Sequence, residues 1–154
     1  MYLILRATQE RIEARIDLLD TNDLLKLKKG WLFDWRKEYE ADGNYVYKVI
    51  TPNNDVIHGL LSVKRKNDHL YVNLLEKSNL NKGKEKAYDN VAGILLAFSC
   101  RLAFAYDYDG FVVFDSKTIL INHYSKFYGA RVLSGQRMYF DTVSAKLLIE
   151  KFLL

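Results

Sequence analysis

The residues with the clearest chemical potential stand where a long apolar helix is predicted to begin. Asn90-Val91-Ala92-Gly93 opens a run of mostly apolar side chains that continues to Ala105. The first N–H groups of a helix have no acceptor within the helix and carry partial positive charge, so a helix start attracts anions, and phosphates above all. The preceding segment, 76–88, contains four lysines: Lys77, Lys82, Lys84 and Lys86. Together these residues predict a phosphate-binding site; the alternative is a lysine-rich loop that is only solvated.

Other site chemistries find little support in the sequence. The three histidines, His58, His69 and His123, have no spacing typical of metal ligands, either among themselves or with Cys100, so we expect no metal site. Cys100 lies in the middle of the apolar helix, where a thiol is expected to be buried and inert. The sequence contains neither a Walker loop nor a dinucleotide-binding fingerprint.

Length and composition set the broad class. With 154 residues, 49% of them hydrophobic and 27% charged, the sequence predicts one globular domain over residues 1–154. The net charge of +4 does not demand nucleic acid, and the strand alternation is better explained by a core than by an exposed aromatic face. One cysteine and an N-terminus without a basic region before its short apolar patch favour the cytoplasm. No stretch approaches the roughly 20 apolar residues of a membrane span.

The pattern from residue 44 onwards predicts an α+β fold with a mixed sheet. Strands over 45–50, 56–63 and 69–75 form an antiparallel meander, and the apolar helix 91–105 and the apolar strand 111–114 follow it. Strands first, followed by alternating helix and strand, are typical of such a sheet. A further helix over 119–128 ends at Gly129, and a hairpin around Ser134-Gly135 leads to a terminal helix whose predicted buried side consists of Val143, Leu147, Leu148 and Phe152.

The first part of the chain predicts helices. Ile12, Ile16 and Leu19 are spaced by four and three residues, which indicates a helix over 10–19. Residues 20–23 (DTND) then combine a helix stop with a new N-cap signal, so a short second helix is expected from Leu24 into Lys28-Lys29-Gly30.

Both tryptophans of the chain, Trp31 and Trp35, follow within five residues. Since aromatic side chains bury large areas, we expect this segment to pack as a helix over the edge of the sheet.

The stretch Asn90-Val91-Ala92-Gly93-Ile94-Leu95-Leu96 resembles the pyrophosphate-loop motif of the GNAT superfamily of acyl-CoA-dependent N-acyltransferases. That motif reads Gln/Arg-x-x-Gly-x-Gly/Ala and leads into a Leu-rich helix. Asn90 stands at the first Gly, where it tolerates the left-handed backbone that Gly would adopt, and Ala92 stands at the Gly/Ala position. Ala87 occupies the place where Gln or Arg is usual. The elements from about Tyr45 to Asp141 follow the order of the family.

The resemblance implies a fold and a co-substrate. The fold would be a GNAT-like mixed sheet, with the meander followed by a central helix, strand and helix, and with helices on both faces. Acetyl-CoA would bind with its pantetheine arm between strands 69–75 and 111–114. The residues that the resemblance places at the cofactor are Leu75, Lys86, Asn90, Val91, Ala92 and Gly93.

The resemblance also implies catalytic roles. His123–Ala130 resembles the Tyr-x-Lys-x-Gly-Phe segment of the family with one extra residue before the Gly, so Tyr124 is predicted to protonate the leaving CoA thiolate and Tyr128 is its rival. A core tyrosine is the alternative for Tyr124. Glu76 is the predicted base for the amine, or else an exposed loop carboxylate. The backbone N–H near Leu75 would polarise the thioester carbonyl.

The predicted function is transfer of an acetyl group from acetyl-CoA to the amine of a small molecule or peptide that the sequence does not identify. In the family the first helices commonly shape the acceptor pocket, so residues 31–35 are a second interpretation as an acceptor wall. The alternative function is a catalytically inactive GNAT-shaped module that binds CoA or a protein partner. No membrane partner is expected, nucleic acid is not favoured, and an oligomer is compatible with the sequence.

Overall fold

A computed structural model describes residues 1–27, 30–54 and 56–154 of the chain. The strands are β1 (Tyr2–Leu5), β2 (Glu10–Glu13), β3 (Arg15–Leu18), β4 (Asn44–Ile50), β5 (Ile57–Arg65), β6 (Leu70–Lys77), β7 (Tyr88–Asp89), β8 (Val112–Asp115), β9 (Arg131–Ser134) and β10 (Arg137–Phe140). The helices are α1 (Thr21–Lys26), α2 (Trp35–Glu40), α3 (Val91–Ala105), α4 (Ile121–Tyr128) and α5 (Thr142–Leu153). Lys28 and Lys29, at the predicted end of the second helix, lie outside the described residues.

The main sheet has the strand order β3-β4-β5-β6-β8-β10-β9. Strands β4, β5 and β6 form the predicted antiparallel meander, while β6 and β8 run parallel. Helix α3 connects these two strands, as a parallel pair requires a crossover. A smaller sheet with the order β2-β1-β7 joins the start of the chain to the residues just before α3.

Helices cover the main sheet on both faces, as predicted. One core contains α3 and α5 against side chains such as Val49, Leu61 and Val63. The other contains Leu24 of α1 and Trp35 of α2 against Val46 and Leu60. Neighbouring residues of β4 and β5 therefore serve opposite cores, as the alternation of side chains along a strand requires. The α+β mixed sheet is confirmed. Within the described residues, no helix combines the length and apolar character needed to cross a membrane.

The predicted helix over 10–19 is wrong, because the segment forms β2 and β3. The two strands belong to different sheets and are separated by Ala14, whose N–H donates to the Met1 carbonyl at 3.2 Å. The spacing of four between Ile12 and Ile16 fits the alternation of a strand as well as the turn of a helix. Only the interval of three to Leu19 favours a helix, and Leu19 lies beyond the end of β3. Pairing with β1 and β4 therefore overrides the local pattern.

The buried side of α5 was predicted only in part. Leu148 and Phe152 are buried, but Val143 and Leu147 are 68% and 61% exposed. The contact with α3 decides which side is buried, because a Cβ atom at Gly93 would overlap Cε1 of the Phe152 ring. Glycine at this position lets the aromatic ring rest on the backbone of α3 and thereby sets the rotation of α5.

Candidate active site

The parallel strands β6 and β8 separate part of the way along their length. They are paired at Leu70–Val112, Tyr71–Val113 and Val72–Phe114, and β6 then continues to Lys77 without β8 beside it. A cavity of about 400 Å³ occupies the opening. Its walls come from both strands, from α3 and α4, from the segments before α2 and α4, and from the loop before α3. The lining residues are Leu32, Phe33, Val72, Asn73, Leu74, Leu75, Glu76, Lys77, Lys82, Ala92, Leu96, Phe114, Asp115, Ser116, Lys117, Leu120, His123, Tyr124 and Tyr128.

The start of α3 presents backbone donors at this cavity. Asn90 has a left-handed backbone with φ of 83°, the conformation predicted for it, and precedes the first helical residue. The first intrahelical bond runs from the Ile94 N–H to the Asn90 carbonyl, so the three N–H groups before it have no acceptor in the helix. The Asn90 side chain does not cap them; its Nδ2 lies 3.5 Å from the Tyr2 carbonyl oxygen. Ala92 lines the cavity.

Two predicted cofactor residues, Val91 and Gly93, are buried. Val91 is 2% exposed, and Gly93 lies under the Phe152 ring. Neither residue lines the cavity, in contrast to Ala92. Any contribution of Val91 and Gly93 to ligand binding therefore comes from their backbone N–H groups.

The lysine loop, defined as residues 78–90 between β6 and α3, is held by many hydrogen bonds. Its end, β7, pairs with β1, and the Ala87 N–H donates to the Leu80 carbonyl at 2.8 Å. Lys86 forms an ion pair with Asp89 at 3.3 Å, and Lys82 forms one with Glu76 at 2.8 Å. The predicted lysine cluster is thus partly neutralised by carboxylates in the same region.

Lys77 adds a cation at the mouth of the opening and lines the cavity. Burial lowers the pKa of its ammonium group, and the nearby charges of Lys86 and Lys82 lower it further. An anion bound here would relieve that repulsion, so the site favours a negatively charged ligand.

The Leu75 N–H points into the opening. The Ser78 N–H donates to the His58 carbonyl on β5 at 2.9 Å. Because the N–H direction alternates along a strand, the Glu76 N–H faces β5 and the Leu75 N–H faces away from it. This is the direction that the predicted polarisation of a carbonyl requires.

Glu76 is a buried carboxylate, 4% exposed, and the alternative of an exposed loop carboxylate is wrong. Burial alone would raise the pKa of Glu76, but the hydrogen bonds from the Leu32 N–H, Lys82, Trp35 and the Phe33 N–H bring it below its usual value. A carboxylate with four donors is a weaker base than a free one. Its predicted role as the general base stays a prediction.

Tyr124 lies on α4 with its ring against Phe114, at a centroid distance of 5.1 Å, and lines the cavity. Burial raises the pKa of its phenol, so the group keeps its proton at neutral pH. No hydrogen bond to a described residue uses this hydroxyl. Tyr128 also lines the cavity, and burial followed by the nearby Tyr124 raises its pKa to about 12. Both rivals remain available as proton donors.

The structure adds wall residues that were not among the predicted cofactor and catalytic residues. Lys117 and His123 line the cavity from the β8 side, and His123 stacks on Phe127 at 5.4 Å. Leu32 and Phe33 line it from the other side. The two tryptophans flanking them were the only available signal, through the interpretation of residues 31–35 as a wall. Cys100, by contrast, is fully buried, and burial raises the pKa of its thiol to about 12.

Sequence comparison finds neither a protein-family model nor a curated protein that matches this chain. Comparison of the structure with solved structures finds acetyltransferases. The chain is similar to AtaT complexed with acetyl-methionyl-tRNAfMet, with a TM-score of 0.63 and 13% identity over 89% of this chain and 99% of that one.

Two bacterial acetyltransferases are similar to a comparable degree. One, from Bacillus subtilis, is in complex with CoA, and the match has a TM-score of 0.59 and 12% identity over 84% of this chain and 99% of that one. The other is an acetyltransferase of the GNAT family from Staphylococcus aureus Mu50, with a TM-score of 0.57 and 12% identity over 84% and 99%. The chain therefore has the GNAT fold, and the resemblance drawn from the sequence is confirmed at the level of fold.

Proposed function

We propose that this protein transfers the acetyl group of acetyl-CoA to a primary amine. The observation that carries the proposal is the opening between β6 and β8, because one cavity there collects the Leu75 backbone, the first turn of α3 and Tyr124. CoA bound to the similar acetyltransferase from Bacillus subtilis supports the choice of co-substrate.

The two sides of the opening suit the two ends of acetyl-CoA. Lys77 would hold the phosphates together with the N–H groups at the start of α3, which have no acceptor within the helix. The Leu75 N–H would donate to the thioester oxygen as negative charge develops on it. Acetyl-CoA supplies the activated acyl group; the amine nitrogen forms the new C–N bond while the C–S bond breaks.

Two protons must move in this reaction. Tyr124 would give a proton to the departing thiolate, since its phenol stays protonated at neutral pH. The attacking amine must lose a proton, and Glu76 is the predicted acceptor, directly or through water. The acceptor molecule is an amine of a small molecule or peptide, or an aminoacyl-tRNA, since the structurally similar AtaT is complexed with acetyl-methionyl-tRNAfMet.

A catalytically inactive module is the second candidate, and one observation favours it. Ala87 lacks the long side chain usual in the motif, and its backbone is already bonded, with its N–H to Leu80 and its carbonyl to the Arg6 N–H. A loop closed in this way offers fewer groups to a pyrophosphate. Such a module would still bind CoA, or a protein partner, without turnover.

Calorimetry with acetyl-CoA tests the proposal. We expect saturable binding and a raised melting temperature, since a ligand at 100 times its Kd stabilises the folded state by about 2.7 kcal/mol. Asn90→Asp keeps a residue that tolerates the left-handed backbone but places a carboxylate beside the phosphates. The like charge costs on the order of 1–2 kcal/mol, so binding should weaken by about 5- to 30-fold.

Asn67→Asp is the matched control, because this exposed asparagine lies beyond the other end of β6. It should leave the affinity unchanged. Absence of heat and of a thermal shift at millimolar acetyl-CoA would reject the proposal. Binding without acetylation across an acceptor screen would favour the inactive module.

A further inference from the structure

The Glu76 carboxylate connects two separate segments of the chain at the cavity, the segment before α2 and the lysine loop. Its Oε2 accepts from the Leu32 N–H at 2.6 Å and from Lys82 Nζ at 2.8 Å. Its Oε1 accepts from Trp35 Nε1 at 2.9 Å and from the Phe33 N–H at 3.2 Å. Three donors come from the tryptophan segment, defined as residues 31–35, and the fourth comes from the lysine loop.

The two side chains that donate to Glu76 differ in their exposure to solvent. The side chain of Glu76 is 3% exposed and Trp35 is 2% exposed, whereas the side chain of Lys82 is 34% exposed. Lys82 also lines the cavity. Lys82 is therefore the donor that a ligand anion would attract, because it alone among the four carries a positive charge while it holds the buried carboxylate.

We infer that Glu76 is a positioning residue. When an anionic cofactor binds at the lysine loop, Glu76 transmits the change to the tryptophan segment. The inference rests on the proposed function, because it takes the phosphates of CoA as the anion and Leu32 and Phe33 as part of the wall facing the acceptor. This positioning role is separate from the proton transfer proposed above, because it acts through the groups that Glu76 holds and requires no contact with the substrate.

Competition for one ammonium group provides the physical link. A phosphate near Lys82 attracts the same cation that neutralises Oε2, and the bond between Lys82 and Glu76 weakens as the new ion pair forms. The carboxylate cannot remain buried with less compensation, so its remaining bonds to Leu32, Phe33 and Trp35 must adjust. The wall that faces the acceptor thus changes when the cofactor arrives.

Trp35 makes this link measurable without knowledge of the acceptor. The chain has two tryptophans, and the indole N–H of Trp35 bonds to Glu76, whereas Trp31 has no such bond among the described residues. In ¹⁵N-labelled protein we expect saturating acetyl-CoA to shift the indole N–H resonance of Trp35, with a smaller change at Trp31. Lys82→Met should abolish the Trp35 shift at concentrations that calorimetry shows to be saturating.

Lys146→Met is the matched control, because it makes the same change at an exposed lysine on α5, outside the cavity and the lysine loop; it should bind acetyl-CoA and keep the Trp35 shift. A second arm needs no ligand. In Glu76→Gln the amide can replace only part of the acceptor set, so hydrogen exchange should accelerate at the Leu32 and Phe33 N–H groups. The experiment with Lys82→Met does not depend on whether Glu76→Gln folds.

The outcomes separate the two proposals. Binding heat with an unmoved Trp35 resonance, or a full Trp35 shift in Lys82→Met, would overturn the coupling and leave the proposed function intact. Unchanged exchange at Leu32 and Phe33 in folded Glu76→Gln would overturn the positioning role. Absence of any binding heat would overturn both, and calorimetry alone would reveal it.

Discussion

The two walls of the cavity are built in different ways. On the β6 wall, Glu76 is buried and accepts four hydrogen bonds from two other segments. On the β8 wall, Asp115 ends the neighbouring parallel strand but its side chain is 46% exposed, and its partners are Arg137 and the Tyr71 hydroxyl. Tyr124 follows on the same wall and is held by ring contacts with Phe114 and Tyr128.

In the proposed reaction, this difference suits the two walls to different tasks. Many hydrogen bonds to a buried charge fix the geometry of the β6 wall, whose Leu75 N–H would have to meet the thioester oxygen within a narrow range of distance in the proposed reaction. The β8 wall carries the phenols of Tyr124 and Tyr128, which keep their protons at neutral pH and form no hydrogen bond to a described residue. In the proposed reaction, the β6 wall therefore positions the thioester, and the β8 wall supplies the proton for the departing thiolate.

The largest effect is expected from Tyr124→Phe on the β8 wall. The variant keeps the ring and its contact with Phe114 but removes the proton donor, so turnover should fall by about 10²–10⁴-fold. Acetyl-CoA affinity and melting temperature should stay close to those of the wild type. Steady-state kinetics with an acceptor found by screening, together with calorimetry, measure both.

Tyr128→Phe serves as the comparison, since this ring lines the same cavity. Wild-type turnover in Tyr124→Phe beside a crippled Tyr128→Phe would move the acid role to Tyr128. Full activity in both variants would remove tyrosine acid catalysis from the β8 wall.

The next largest effect is expected on stability from Glu76→Ala. This change leaves two backbone N–H groups, the Trp35 indole and Lys82 without their acceptor, and unfolding in urea should show a loss of about 3 kcal/mol. Asp115→Ala removes an exposed carboxylate whose partners can turn to water, so its loss should be much smaller. Equal losses in the two variants would contradict the proposed contrast between the walls.

The smallest effect concerns the loss of stability at acid pH. Because the pKa of Glu76 is lower in the folded than in the unfolded protein, its contribution to the free energy of unfolding is present above the unfolded pKa of about 4.3 and is lost as pH falls through the folded value. Glu76→Gln should therefore lose less stability than the wild type between about pH 5 and pH 3. An equal loss of the free energy of unfolding in the two proteins over this pH range would show that Glu76 has no lowered pKa.

The sequence alone determined the central part of the molecule. Helix α3 was predicted over its full range, and β4, β5, β6 and β8 within a few residues, because long apolar runs and clear alternation leave few other ways to bury these side chains. The left-handed backbone of Asn90 was also predicted, since the motif needs a residue that tolerates it. The proximity of Leu75, Glu76, Ala92 and Tyr124 followed from the resemblance.

The tertiary structure alone decided the start of the chain and the partners of the site. Residues 10–18 form strands because β1 and β4 offer pairing edges, and no local pattern encodes the presence of those edges. Glu76 stands 44 residues from Leu32, and nothing near either residue in the sequence reveals that one N–H donates to the other's carboxylate. Contacts over such separations depend on how whole strands and helices pack, so local sequence signals cannot specify them.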